Sequence, residues 1–419
     1  MITLLFGTFI ILLLLSVPVA ISIGLTCIAV LITQGVPLIV VPQRMFAGTD
    51  SFPLVAVPFF ILAGDLLAQG KVSEKLVQFA DSLLGFLKGG LWVVAVLASM
   101  FFAAISGSGA ATTAAVGTPL IPELKKKQYS PQLSAALIAA GGCTGVVIPP
   151  SVPMILYAVI ANQSVDRLFL NGFVPGLLMG AMLIGMSLVI AYKHNYPRGS
   201  DLSLSNIWNS FKGAIWGLIT PVIILGGIFS GYFTPSEAAV IAVDWALFVA
   251  VFIYKDIGWK DIFGILTRSA ITMSVIMFII ATSTAFSWIL ANWQIPNMIA
   301  NTILSMSHNK YVLLLLINII ILIAGIFMET ASALIILTPV FLPLIDSLGI
   351  NLIHFGIIIV LGLAIGMITP PVAINLYVAS TVSGISIEKI SRAVIPFMIG
   401  LIIILMLITY LPLFFNLIV

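Results

Sequence analysis

The chain has 419 residues, of which 61% are apolar and only 7% charged, against about 25% charged in soluble proteins; its mean hydropathy is +1.25. That composition excludes a soluble globular protein, and the lack of strand-length alternation excludes an outer-membrane barrel. What remains is an all-α polytopic membrane protein in a lipid bilayer, because helices satisfy their own backbone groups where no water can. The net charge of +3 gives no ground for a nucleic-acid partner; in such a chain Lys and Arg set orientation.

Residues 2–32 have no basic segment ahead of them and no small-residue cleavage site behind, so they read as structure rather than a signal peptide. They are too long for one span and carry Pro18 and Gly24, which divides them into two helices. Spans follow at 52–68, 91–105, 131–149 continuing to about 162, and 168–192. The second half gives 213–230, 236–254, 270–291, 311–326, 351–368 continuing to about 383, and 393–415. Residues 73–87 and 296–307 are amphipathic and read as interfacial helices. Two segments read as re-entrant hairpins, about 103–122 and about 326–345. The first is broken at Ser106-Gly107-Ser108-Gly109 and the second near Met328-Glu329-Thr330. Such backbone survives at membrane depth only when buried in protein or lining a cavity.

A Gly-X-X-X-Pro-Pro break interrupts an apolar run twice, at Gly145–Pro150 and at Gly366–Pro371, 221 positions later. Broken helices at matching places in two halves point to the ion and substrate site of a transporter. Unwound carbonyls suit a cation, and half-helix N-termini suit an anion. The expected organisation is a first repeat over 1–192, a cytoplasmic linker over 193–212 containing His194, Asn195, Pro197, Arg198, Gly199 and Ser200, and a second repeat over 213–419. With the first hairpin opening to the cytoplasm, 14 of the 17 Lys and Arg fall inside and only Arg44, Arg167 and Lys310 outside. That asymmetry is strong. It inverts one half relative to the other and places both chain ends on the outer side.

Several stretches carry a family likeness. They are Asp50–Leu54 with Pro58–Gly64, Ser106-Gly107-Ser108 with Ala114–Gly117, Ile148–Ser151, Phe233–Ala239, Leu337-Thr338-Pro339 and Gly366–Pro371. In this order and spacing the chain resembles, over essentially its full length, the large membrane subunit of tripartite ATP-independent periplasmic (TRAP) transporters, the DctM-like family. The resemblance implies Na⁺-coupled secondary import of a small organic acid across the bacterial inner membrane. It also implies a small four-helix membrane partner, a periplasmic substrate-binding protein, and an elevator motion of hairpins and broken helices against a scaffold. Family members often carry Asp where this chain has Glu329.

Within that frame the breaks yield two expected Na⁺ sites. Ser106, with carbonyls of Gly145, Ile148 and Pro150 and with Ser108 beside it, forms the first. Gly325, Gly366, Thr369 and Val372 form its counterpart. Small residues also serve plain helix packing, and a Thr beside a proline kink often bonds back to its own helix; the paired placement favours the ion reading. Glu329 is an ionisable group at membrane depth, which is functional by default; its expected role is to fix the hairpin tip by accepting backbone N–H bonds. Thr112, Thr330, Ser332 and Asn375 are the expected substrate contacts. No arginine falls within the predicted site, so neutral donors, helix dipoles and bound Na⁺ would recognise the carboxylate. Asp65 is expected near a cytoplasmic helix end, reaching water or the scaffold. Asp244, deeper and away from both breaks, suggests a structural or subunit-facing role.

An enzyme is the contrasting class. His194, His308 and His354 are scattered, the two cysteines Cys27 and Cys143 give no metal spacing, and no HExxH, nucleophile elbow or P-loop is present. The nearest rival is a stand-alone Na⁺- or H⁺-coupled organic anion carrier.

Overall fold

The computed structural model describes residues 2–69, 71–198, 202–306 and 309–415. Gly199, Ser200 and His308 therefore lie outside the described residues. Among the described residues the chain is helical throughout, with a single β-bridge, Lys88 to Arg198, instead of a sheet.

In chain order the first elements are α1 (Ile2–Leu14), α2 (Val19–Thr33), α3 (Val40–Thr49), α4 (Ala56–Gln69) and α5 (Lys71–Leu84). Next come α6 (Gly90–Ser106), α7 (Gly109–Lys126), α8 (Pro131–Gly142), α9 (Val152–Ile160) and α10 (Val165–Lys193). The second half holds α11 (Leu204–Phe229), α12 (Pro235–Phe248, prolonged by a π-helical stretch to Tyr254), α13 (Trp259–Asn292) and α14 (Ile295–Met306). It closes with α15 (Lys310–Phe327), α16 (Thr330–Ser347), α17 (Leu352–Gly366), α18 (Ile374–Ser383) and α19 (Ile387–Phe415). One order of elements occurs twice. A hairpin, a broken helix and a long helix follow each other as α6–α7, α8–α9, α10 and again as α15–α16, α17–α18, α19.

Local chemistry explains the boundaries. Pro18, whose ring cannot join a helix interior, stands at the start of α2 and separates it from α1. Both Pro-Pro pairs sit in non-helical backbone and are cis. The hairpin arms are longer than the sequence pattern suggests. The expected span 91–105 is itself the first arm of hairpin one, and 311–326 the first arm of hairpin two. α3 has no counterpart among the expected spans, because Pro42, Gln43, Arg44 and Gly48 dilute its hydropathy. It meets the following segment at 69°. α13 begins eleven residues earlier than expected, at Trp259.

The two halves interlock. α7 packs on α18 as well as on its neighbour α8, and α16 packs on α9 as well as on α17. α4 and α13 run beside this assembly, with α12 against α4 and with α2 and α3 against α13. The described start of the linker packs on the rest of the chain. Tyr196 stacks on Tyr129 at 4.5 Å, and Trp92 meets Tyr196 edge-on at 4.9 Å. Tyr129 donates a hydrogen bond to the Pro197 carbonyl at 3.0 Å. Many large apolar side chains stay exposed, among them Leu14, Phe46, Phe263 and Val222, as a lipid-facing surface requires.

Candidate functional site

Both hairpins turn at the centre of the molecule. In the first, Ser106 ends α6, Gly107 takes a left-handed φ of +59°, and Ser108 caps α7 by accepting from the Ala111 N–H at 3.4 Å. Only glycine fits at 107: a methyl group there would stand 2.8 Å from the Pro150 carbonyl oxygen. Thr112 sits one turn into α7, donates to the Ser108 carbonyl at 2.8 Å and lies 3.1 Å from Ser106 Oγ. Gly145 abuts the same point; a methyl group on it would be 2.6 Å from both the Ser108 carbonyl and Thr112 Oγ1. Ser106, Ser108, Gly145 and Pro150 thus converge on one spot. Thr112, expected to touch substrate, belongs to this cluster and is fully buried. Ile148 instead turns its side chain toward Gly176 of α10.

In the second hairpin Glu329 caps α16. Its carboxylate accepts from the backbone N–H of Ala331 at 2.9 Å and of Ser332 at 3.2 Å. Gly325 and Gly366 touch through their backbones: a methyl on Gly366 would stand 2.5 Å from the Gly325 carbonyl oxygen. The Val372 N–H donates to the Ile326 carbonyl at 3.4 Å. Thr369 behaves differently from Ser106. Its hydroxyl donates back to the Ile365 carbonyl at 2.9 Å and lies 3.5 Å from Met398 Sδ. Ser332 is buried behind the tip. Asn375 is buried too, donating to the Ala139 carbonyl at 3.2 Å, so it ties α18 to α8.

Between the two tips lies a cavity of about 330 Å³. Of the expected site residues, Ser106, Ser108, Glu329 and Thr330 line it. Four helices begin on its wall: α7 at Gly109, Ala110 and Ala111, α9 at Val152 and Pro153, α16 at Thr330 and Ala331, and α18 at Ile374. Each helix N-terminus carries roughly half a positive charge from aligned peptide dipoles. Among the described residues no Lys, Arg or His lines the cavity, while Asp65 and Glu329 do. Glu329 is already engaged by two N–H groups, and Asp65 accepts from Ser269 Oγ at 2.5 Å. Thr330 Oγ1 is buried and has no hydrogen-bond partner among the described residues. Among the described residues no cluster of His, Cys, Asp and Glu is fit to hold a transition metal.

The remaining wall escaped the sequence reading. α4 supplies Ile61, Gly64 and Asp65, and α13 supplies Thr272 and Ile276. Asp65, a lone acid in an apolar run, was the one local signal. Gly64 packs directly against Ser106, leaving no room for a side chain: its methyl would be 3.0 Å from the Ser106 carbonyl oxygen.

The sequence matches the family described as "Tripartite ATP-independent periplasmic transporter, DctM component" over residues 6–414. It is 40% identical to the isethionate TRAP transporter permease protein DctMQ of Oleidesulfovibrio alaskensis over 97% of this chain and 65% of that relative, so it spans about two thirds of that protein's length. It is 37% identical to the C4-dicarboxylate TRAP transporter large permease protein DctM of Rhodobacter capsulatus, over 97% of this chain and 96% of the relative. Identity to the sialic acid TRAP transporter large permease protein SiaM of Vibrio cholerae is 38%, over 95% and 94% of the two chains. Among solved structures, the Alcanivorax borkumensis YdaH transporter shares the fold, with a TM-score of 0.63 and 15% identity over 89% of this chain and 88% of that one. The chain belongs to the DctM family of TRAP transporters, a family of multi-pass membrane permeases and not of enzymes.

Proposed function

We propose that this chain is the large membrane subunit of a Na⁺-coupled importer of a small organic acid. The observation that carries the reading is the convergence of four helix N-termini and two hairpin tips on one cavity that, among the described residues, has no basic side chain. Such a wall suits an anion bound by backbone dipoles, and the crowded carbonyls beside Ser106 suit a hard monovalent cation. Na⁺ would sit at Ser106, Ser108, Gly145, Ile148 and Pro150, and at Gly325, Gly366, Thr369 and Val372. Thr330 is the substrate contact best placed on the wall, with Thr112, Ser332 and Asn375 behind it. The relatives act on isethionate, C4-dicarboxylates and sialic acid, so the proposed cargo is an acid of that class.

The packing supports an elevator reading. α6–α9 and α15–α18 form one interlocked body, and α4 and α13 form the wall it faces. Sliding that body along the wall, as an elevator, would carry the cavity from one membrane face to the other. The two halves would be inverted repeats, joined through 193–212 on the cytoplasmic side of the inner membrane with both termini periplasmic. A small four-helix membrane subunit and a periplasmic binding protein would complete the system. Linkage requires that Na⁺ tighten substrate binding and substrate tighten Na⁺ binding.

The test is uptake of radiolabelled acids into proteoliposomes holding this chain and a small membrane subunit. Uptake that needs both an inward Na⁺ gradient and the binding protein is the expected result. Na⁺- or H⁺-driven uptake without the binding protein would replace the reading with a stand-alone carrier. Gradient-independent uptake would remove the Na⁺ sites.

A further inference from the structure

Asp244 stands out from every other acid in the chain. It lies midway along an apolar helical span, Pro235–Tyr254, of 20 residues. At 1.5 Å per residue the carboxylate is roughly 15 Å from either end. It is exposed on the outside of the molecule, and among the described residues no hydrogen bond or ion pair reaches it. Its neighbours on the same helix face, at i−4, i+4 and i+8, are Val240, Phe248 and Phe252, all exposed at 37%, 45% and 61%. The face is thus an apolar stripe with one acid at its centre.

Lipid does not tolerate that arrangement. A charge at the bilayer centre costs at least about 2.5–3.5 kcal/mol. A two-carbon side chain has no reach to snorkel to headgroups so far away, as a Lys or Arg does. The carboxylate lies away from the central cavity, whose lining does not include it. Charge complementarity then fixes the occupant as a helix that brings a basic side chain to the same depth. A second copy of this chain is poorly suited. Its Lys and Arg lie in loops or within ten residues of a helix end, and Arg268, the deepest, already interacts within the chain.

We propose that the Val240–Asp244–Phe248–Phe252 face of α12 docks a transmembrane helix of a separate chain, and that a Lys or Arg at the middle of that helix pairs with Asp244. The proposal deepens the small-subunit reading above and rests on it only for which chain supplies the helix. The apolar residues give the contact area, and the ion pair gives register and choice of partner, since in lipid apolar contact alone distinguishes partner from solvent weakly.

The test uses the full chain reconstituted in liposomes and labelled with a donor fluorophore. The probes are two acceptor-labelled single-span Leu/Ala peptides, identical except for Lys or Leu at the midpoint. Energy transfer to the Lys peptide should exceed that to the Leu peptide, with about tenfold tighter association. Asp244→Asn should abolish the difference, and Asp244→Lys should transfer the preference to a peptide with a midpoint Asp. Asp244 is exposed, so both variants should purify as monodisperse protein. Equal association of the Lys and Leu peptides, or a preference that survives Asp244→Asn, overturns the proposal. So does self-association of the unmodified chain that Asp244→Asn removes, which would make the partner a second copy. Neither peptide measurement depends on transport, so a failure here leaves the uptake experiment to decide the functional reading separately.

Discussion

At the scale of single residues, the centre of the molecule is built by removing side chains. Gly107, Gly145 and Gly366 each stand where a methyl group would meet a neighbouring backbone or hydroxyl oxygen within 2.8 Å, and a methyl on Gly325 would stand 3.1 Å from the Gly366 Cα. Small residues let membrane helices approach backbone to backbone. Here the approach also crowds carbonyls together at the two breaks. Gly366→Ala should force α17 and α15 apart, costing about 1–3 kcal/mol as overpacking does. A fall in the thermal unfolding midpoint of the purified chain, with loss of Na⁺-driven uptake, is the expected outcome. An unchanged midpoint would show that the contact yields easily. Thr369 marks the limit of side-chain reasoning from sequence. It is the hydroxyl in its Pro-Pro segment, yet it spends that hydroxyl on the Ile365 carbonyl. A sequence shows which group is available, not which acceptor reaches it first.

At the scale of elements, the telling features are helix starts. α7 and α9 are capped by Ser108 and Ser151, and α16 by Glu329, whereas α18 begins at Ala373 with no side-chain cap. A cap removed by truncation to Ala costs about 0.5–2 kcal/mol. Glu329→Ala should therefore loosen the tip of the second hairpin while leaving the rest folded. Hydrogen exchange should rise at Thr330–Ala333 and stay unchanged in α6 and α7; a uniform rise would mean that Glu329 supports the whole fold. Both breaks were legible because Pro-Pro and Ser-Gly-Ser-Gly act on their own backbone. α3 was not, since its polar residues hide it from any hydropathy window. The early start of α13 was hidden for the same reason, with Lys260, Asp261 and Arg268 lying inside a helix that leaves the apolar pattern. The wall formed by α4 and α13 depends on which helices meet in space, and no local pattern encodes that.

At the scale of the whole molecule, the cavity joins groups from both halves and from the flanking wall. A ligand bound there stabilises all of them at once. Stabilisation by a ligand specific to the folded state is about 2.7 kcal/mol at a hundredfold excess over its dissociation constant. Na⁺ should accordingly raise the unfolding midpoint of the detergent-solubilised chain in a saturable way, with K⁺ at equal ionic strength as the control. The shift should grow further with a bound acid. An identical response to K⁺ would reduce the effect to screening and speak against the ion sites at both breaks.

The interlock of the two halves also has a history within each molecule. Asn375 of α18 reaches the Ala139 carbonyl across 236 residues of sequence, and α7 shares that same partner helix. At about 5–20 residues per second of synthesis, α7 and α8 wait roughly 10–50 seconds in the membrane before α18 is made. Through that interval the Ser-Gly turn and the first unwound segment cover each other, but the faces of α7 and α8 that α18 later occupies are open. The α7–α8 pair thus spends that time with lipid on the faces that later meet α18, so its two helices hold together on contacts made within the first half alone.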